Sequence, residues 1–126
     1  MFDVEMFNTL IPHLDKINNI HALETKLFSH RLKTAGTVDC IGEYEGKLCV
    51  IDFKSSAKQK ERSYIDHYFM QCSAYGYMFW EHTGILIKDI CVIMGVDNNP
   101  TSIFHEPLKP WLEKFIQVRK DYSLFH

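Results

Sequence analysis

Apolar residues recur at Phe7, Leu10, Ile11, Leu14 and Ile17. This is the three-and-four spacing of one helix face, and it predicts a helix from Met1 towards Asn18, broken at Asn18-Asn19. His21–Leu32 follows no single period and reads either as a last helical turn or as a strand through Leu23, Leu27 and Phe28. Lys33-Thr34-Ala35-Gly36 has turn composition. Two strands follow, Gly36–Tyr44 and Lys47–Lys54, joined by Glu45-Gly46, where glycine tolerates the positive φ of a two-residue hairpin. Both are apolar on both faces at their centres (Val38, Cys40 and Ile41; Cys49, Val50 and Ile51), so they belong in a sheet covered on each side. Ser55–Ser63 is a polar, basic connection. Tyr64 to about Glu81 is apolar nearly all round, the pattern of a buried helix, with Gly84 as its stop. Ile85–Met94 is β-branched and alternating, hence a strand. Val96–Thr101 reads as a turn and Ser102–His105 as a short strand. Pro107 or Pro110 opens a last helix with Leu108, Trp111, Leu112, Phe115 and Val118 on one face. The expected order is helix, three strands, helix, two strands, helix.

Composition narrows the class without naming a function. With 126 residues, 46% hydrophobic and 24% charged, the chain fits one globular domain over 1–126 and excludes a disordered or fibrous protein. A net charge of −2 supplies no global field for a polyanion. No apolar run approaches the roughly 18 residues of a membrane span. MFDVEMFNTL has no basic residue before Lys16, unlike a secretory signal. Cys40, Cys49, Cys72 and Cys91 match no metal-knuckle spacing and sit in apolar stretches, as reduced thiols of a cytoplasmic protein do.

The hairpin carries the chemistry. If Glu45-Gly46 is the loop, Tyr44 faces Lys47, and counting outward puts Asp39 opposite Asp52 on one side of the sheet. Lys54, two residues on, points to that side too. Two facing carboxylates in a half-buried sheet repel and are costly to bury. A divalent cation would relieve both problems, because hard oxygen donors are what Mg²⁺ prefers. The plainer reading is a buried Asp–Lys salt bridge with the second Asp satisfied by backbone.

Gly36-Thr37-Val38-Asp39, then Ile51-Asp52-Phe53-Lys54-Ser55, resembles the PD-(D/E)XK nuclease superfamily, in which a carboxylate on one strand precedes D/E-x-K on the next. Gln71-Cys72-Ser73-Ala74-Tyr75 is similar to the Q-x-x-x-Y element of its RecB-like branch, and the joint pattern resembles the exonucleases of phages and of mitochondrial genome maintenance. The resemblance runs over Leu23–Phe79. It implies a restriction-endonuclease-like α/β fold with an αβββαβ core, a mixed central sheet flanked by helices. It implies that Asp39, Asp52 and the Phe53 carbonyl hold the metal, that Lys54 is the catalytic lysine, and that Glu24 is the upstream acid, with His21 as the alternative to Glu24. The metal would be Mg²⁺, with Mn²⁺ substituting. Ser55, Ser56, Lys58 and Lys60 would contact phosphates. Gln71 and Tyr75 would position DNA, and Tyr64 and Tyr68 could stack on bases.

The implied activity is metal-dependent hydrolysis of DNA phosphodiesters, as an exonuclease at ends or in single strands, in the cytoplasm (the host's, if phage-encoded). A homo-oligomer is one way to complete a DNA-threading surface. Three alternatives stand beside it. They are an endonuclease or junction resolvase on the same fold, an inactive DNA-binding module, and a small-molecule-binding α/β protein whose Asp–Lys pair is structural and whose stability ignores metal.

Overall fold

A computed structural model describes residues 4–57 and 65–125, the last four by backbone alone. In chain order the elements are α1 (Val4–Leu14), β1 (Ile17–Ser29), β2 (Thr34–Tyr44), β3 (Lys47–Ser56), α2 (Asp66–Thr83), β4 (Asp89–Val96), β5 (Ser102–Pro107) and α3 (Leu108–Phe125). The strands form one five-stranded sheet in the order β1-β2-β3-β4-β5. Neighbours are antiparallel except β3 and β4, which are parallel. That exception follows from connectivity. Tight turns return the chain antiparallel, whereas β3 reaches β4 through α2, the crossover a parallel step requires.

The β2–β3 hairpin is set by its turn. Glu45 and Gly46 both have positive φ, 51° and 82°, as a turn matching the right-handed strand twist demands. The register then runs from Tyr44↔Lys47 to Cys40↔Ile51, as the two-residue loop dictates. Alternation along β3 sends Cys49 and Ile51 to one face and Val50 to the other. On the first face Leu10 of α1 packs over Cys40, Tyr44, Ile51, Cys91 and Ile93. On the second, Phe69 and Met78 of α2 and Trp111 of α3 cover Val50, Val92 and Met94. The sheet is therefore covered on both sides. All four cysteines are buried free thiols.

Several boundaries differ from the sequence pattern; β2 already begins at Thr34, inside the expected turn, and β5 runs on to Pro107. The first helix ends at Leu14 and β1 starts at Ile17, so the helical spacing of Ile17 is fortuitous. The irregular stretch lies within β1 instead, where Asn19 has φ 46° and the β1–β2 register shifts between Asn18 and Ala22. His21–Leu32 resolves into the rest of that strand and its turn. Gly84 caps α2 at φ 76°, its N–H donating to Trp80 O at 2.8 Å, but the strand begins only at Asp89. In α3, Leu108 and Trp111 are buried while Val118 is 53% exposed. No helix among the described residues is long and apolar enough to cross a membrane.

Candidate active site

The β2–β3 register leads from Cys40↔Ile51 directly to Asp39 and Asp52. Asp39 Oδ2 accepts a hydrogen bond from the Phe53 N–H at 2.9 Å, tying its carboxylate to the neighbouring strand. Asp52 lies on the α2 face of β3, its side chain 7% exposed, with Lys54 Nζ 3.3 Å from Oδ2. The ammonium also stands 4.8 Å from the centre of the Tyr68 ring on α2, close enough for cation–π attraction. Oδ2 is buried and receives no hydrogen bond, so Lys54 gives it charge but not hydrogen-bond geometry.

The electrostatics follow from this placement. Burial pushes the Asp52 carboxyl up to about 7; Lys54 opposes the shift, and Asp39 reinforces it through its charge and a carboxyl–carboxyl hydrogen bond. For Lys54, burial disfavours the ammonium, but the charges of Asp52 and Asp39 outweigh it and hold its pKa above the ordinary value. Lys54 is thus a cation at neutral pH, while Asp52 keeps its proton well above the ordinary carboxylate range.

Helix α2 forms the wall over these groups. Cys72 is fully buried beneath them, and burial together with the Asp52 charge raises its thiol well above the usual range, so it is inert as a nucleophile. The Tyr75 hydroxyl is also raised, by burial and then by Asp52. The Tyr75 ring lies on Gly36: a Cβ added at Gly36 would come within 2.9 Å of Tyr75 Cε1 and of its hydroxyl. Two stretches of the sequence motif, the glycine before Asp39 and the tyrosine of the helix, are therefore in contact. Gln71 is exposed and shares a cleft of about 340 Å³ with Tyr75, His67 and Phe115.

The remaining candidates are placed less centrally. Glu24 falls between Leu23↔Cys40 and Thr25↔Val38, the register position beside Asp39. It is exposed and has φ 44°, and among the described residues no group of three His, Cys, Asp or Glu side chains converges. The structure does not bring Glu24 to the carboxylate pair. His21 is exposed and meets the Phe79 ring edge-on at 6.5 Å. Ser55 and Ser56 continue β3 beyond Lys54, paired with Gly95 and Val96 of β4. Lys58, Lys60 and Tyr64 lie outside the described residues. Sequence reasoning missed Cys72 as a boundary of the site, although its place between Gln71 and Tyr75 and its apolar setting were the available signals.

The donor set fits a hard divalent cation. It comprises two adjacent carboxylates, one of them buried with an oxygen lacking a hydrogen bond. A buried orphan oxygen is rare in a folded protein and calls for a partner.

No family model matches the chain. It is 49% identical over 47 residues to mitochondrial genome maintenance exonuclease 1 of Mus musculus, a match covering 37% of this chain and 14% of that protein. It is 45% identical over 51 residues to the Homo sapiens protein of the same name, covering 40% and 15%. The matched stretches are thus a small part of these relatives' length. A crystal structure of a proposed exonuclease from Eubacterium rectale superposes with a TM-score of 0.59 at 8% identity, covering 91% of this chain and 47% of that one, a likeness of fold. The α/β architecture, a five-stranded mixed sheet flanked by helices, is that of this nuclease-like neighbour, and the local sequence matches are to exonucleases.

Proposed function

We propose that the chain is a metal-dependent deoxyribonuclease domain of the PD-(D/E)XK superfamily, RecB-like branch, spanning 1–126 and acting as an exonuclease on DNA ends or single strands. The observation that carries this reading is the half-buried Asp39 beside the buried Asp52, whose Oδ2 lacks a hydrogen bond and faces Lys54. Asp39, Asp52 and the Phe53 carbonyl would hold Mg²⁺ or Mn²⁺. When bound, the ion supplies positive charge at the scissile phosphate and acidifies a water molecule.

The chain's own residues do the rest. The Phe53 N–H fixes the Asp39 carboxylate, so one donor is preorganised before anything binds. Asp52, raised to about 7, gives up its proton on binding a cation at neutral pH. Lys54, held as a cation by the two carboxylates, would orient a water and stabilise charge developing on the phosphate. Tyr75 and Gln71, on the adjoining helix, line the path by which a strand reaches the carboxylates.

A structural ion pair would account for the 3.3 Å Asp52–Lys54 contact and the Asp39–Phe53 hydrogen bond. It leaves Oδ2 without a hydrogen bond and gives no reason to set a second acid beside a buried first. The test is incubation with end-labelled linear single- and double-stranded DNA, with Mg²⁺, with Mn²⁺ and with EDTA. Metal-dependent degradation is expected, lost by about a thousandfold in Asp52→Ala and Lys54→Ala. Closed circular single strands should stay intact; their cleavage would assign an endonuclease instead. Wild-type-like activity in either variant would overturn the assignment of these residues.

A further inference from the structure

On the far side of the Gln71–Tyr75 cleft from the carboxylates lies a second groove, of about 630 Å³. Its rim carries Arg31 and Lys33 of the β1–β2 turn and Arg119 and Lys120 of α3, and its floor includes Tyr77 and Ile116. Among the described residues no carboxylate lines it. In a chain of net charge −2, this concentrates positive charge on one face. The groove is also braced. Arg31 donates to the Tyr77 hydroxyl at 3.3 Å, and Arg119 donates to the Lys33 carbonyl at 2.5 Å. The turn is thereby tied to both helices. Beyond Tyr77 the surface continues to the exposed Trp80 ring, 5.8 Å from it.

Arg119 lines both this groove and the cleft of Gln71 and Tyr75. The two form one path along α2. From Gln71 to Tyr77 the helix axis advances about 9 Å at 1.5 Å per residue.

We infer that this basic groove is a single-strand nucleic-acid track, guiding the strand to or from the carboxylate pair. Four cations around a groove that also holds Tyr77 and adjoins the exposed Trp80 suit a sequence-independent polyanion with stacking bases. The polarity of the rim disfavours an apolar peptide, and its charge disfavours a basic one. The inference rests on the nuclease reading for the direction of the path, but the binding surface can be tested apart from catalysis.

The experiment is fluorescence anisotropy of a labelled single-stranded oligodeoxynucleotide in EDTA, over a range of salt concentrations. The double variant Lys33→Glu/Lys120→Glu should bind at least tenfold more weakly than wild type, with melting temperature retained. The neutral variant Lys33→Ala/Lys120→Ala, which introduces no repulsion, should fall between and lower the slope of log K against log salt by about 1.4, as loss of two phosphate contacts requires. Lys33→Arg/Lys120→Arg should bind like wild type. Asp52→Asn should lose metal-dependent cleavage without the tenfold binding loss of the double variant, which separates the track from the catalytic centre. If no cleavage is ever seen but these binding losses hold, the groove stands and the nuclease reading falls. Equal binding by wild type and both charge-removing variants would overturn the proposal, as would no binding of the oligonucleotide by wild type, which would turn the groove towards a protein partner.

Discussion

Gly36 shows how a single residue joins the motif stretches. Its φ is not in the left-handed region, so backbone freedom is not what requires glycine. The requirement is space, because Tyr75 Cε1 and Oη would each lie 2.9 Å from an added Cβ. An aromatic ring held by a packed helix cannot retreat cheaply, so Gly36→Ala should destabilise by about 1–3 kcal/mol. Urea denaturation measures this. Combining Gly36→Ala with Tyr75→Ala should recover part of the cost, because the clash disappears with the ring. Strictly additive losses would mean that the ring and the glycine do not constrain each other. The spacing of Gly36, Asp39, Asp52 and Lys54 could be read from sequence because a two-residue hairpin turns residue number into position. The contact of Gly36 with Tyr75 could not, since it depends on how α2 lies across the sheet. Glu24 marks the same limit: the resemblance names it only by spacing, and its register place beside Asp39, with φ 44° and an exposed side chain, comes from the β1–β2 pairing.

Among the elements, α2 decides where the site wall stands, and a second glycine sets its depth. Gly76 is buried in α2, and a Cβ there would collide with Leu108 at the start of α3 and lie 3.4 Å from Val50 Cγ2 on β3. The helix thus approaches both the sheet and α3 more closely than any larger residue permits. Gly76→Ala raises intrinsic helix propensity by about 1 kcal/mol, yet a net loss of stability is expected because the steric cost exceeds that gain. Leu108→Ala alone should also destabilise, by about 2–5 kcal/mol, through the cavity it leaves. In the Gly76→Ala background the same change should cost markedly less, as read by thermal melts of the two singles and the double. A net gain in stability from Gly76→Ala would show that Leu108 yields freely and that the close approach is not required. The elements themselves were legible where one period held, as in the hairpin, α2 and α3. The boundary between α1 and β1 was not, because Ile17 satisfies both a helical spacing and the first position of a strand. The basic groove was illegible for a different reason. Arg31 and Lys33 lie far along the chain from Arg119 and Lys120, and only the packing of α3 against α2 and the β1–β2 turn brings the pairs together.

For the molecule as a whole, the carboxylate pair makes stability a function of pH and metal together. Asp52 is raised from 3.8 to about 7, chiefly by burial. The folded state therefore holds a proton that the unfolded chain has already released, and stability falls as pH rises from about 4 to about 7. A shift of that size corresponds to at most about 4 kcal/mol across the window. The raised Lys54 works at the other end: its contribution is present at neutral pH and lost only as pH climbs through its elevated folded value. A cation that replaces the proton should restore what the acid window removes. In EDTA the melting temperature should decline from pH 5 to pH 8. Mg²⁺ or Mn²⁺ should raise it more at pH 8 than at pH 5, the stabilisation being about 2.7 kcal/mol where the ion exceeds its Kd a hundredfold. Asp52→Asn keeps the shape and removes the titration, so it should flatten the decline and abolish the increment with metal. It should also match or exceed wild type in EDTA at pH 8, since a neutral amide spares the cost of the buried charge. A wild-type profile that is flat in pH and indifferent to metal would make Asp39, Asp52 and Lys54 a structural ion pair, and would remove the basis for metal-dependent chemistry at this site.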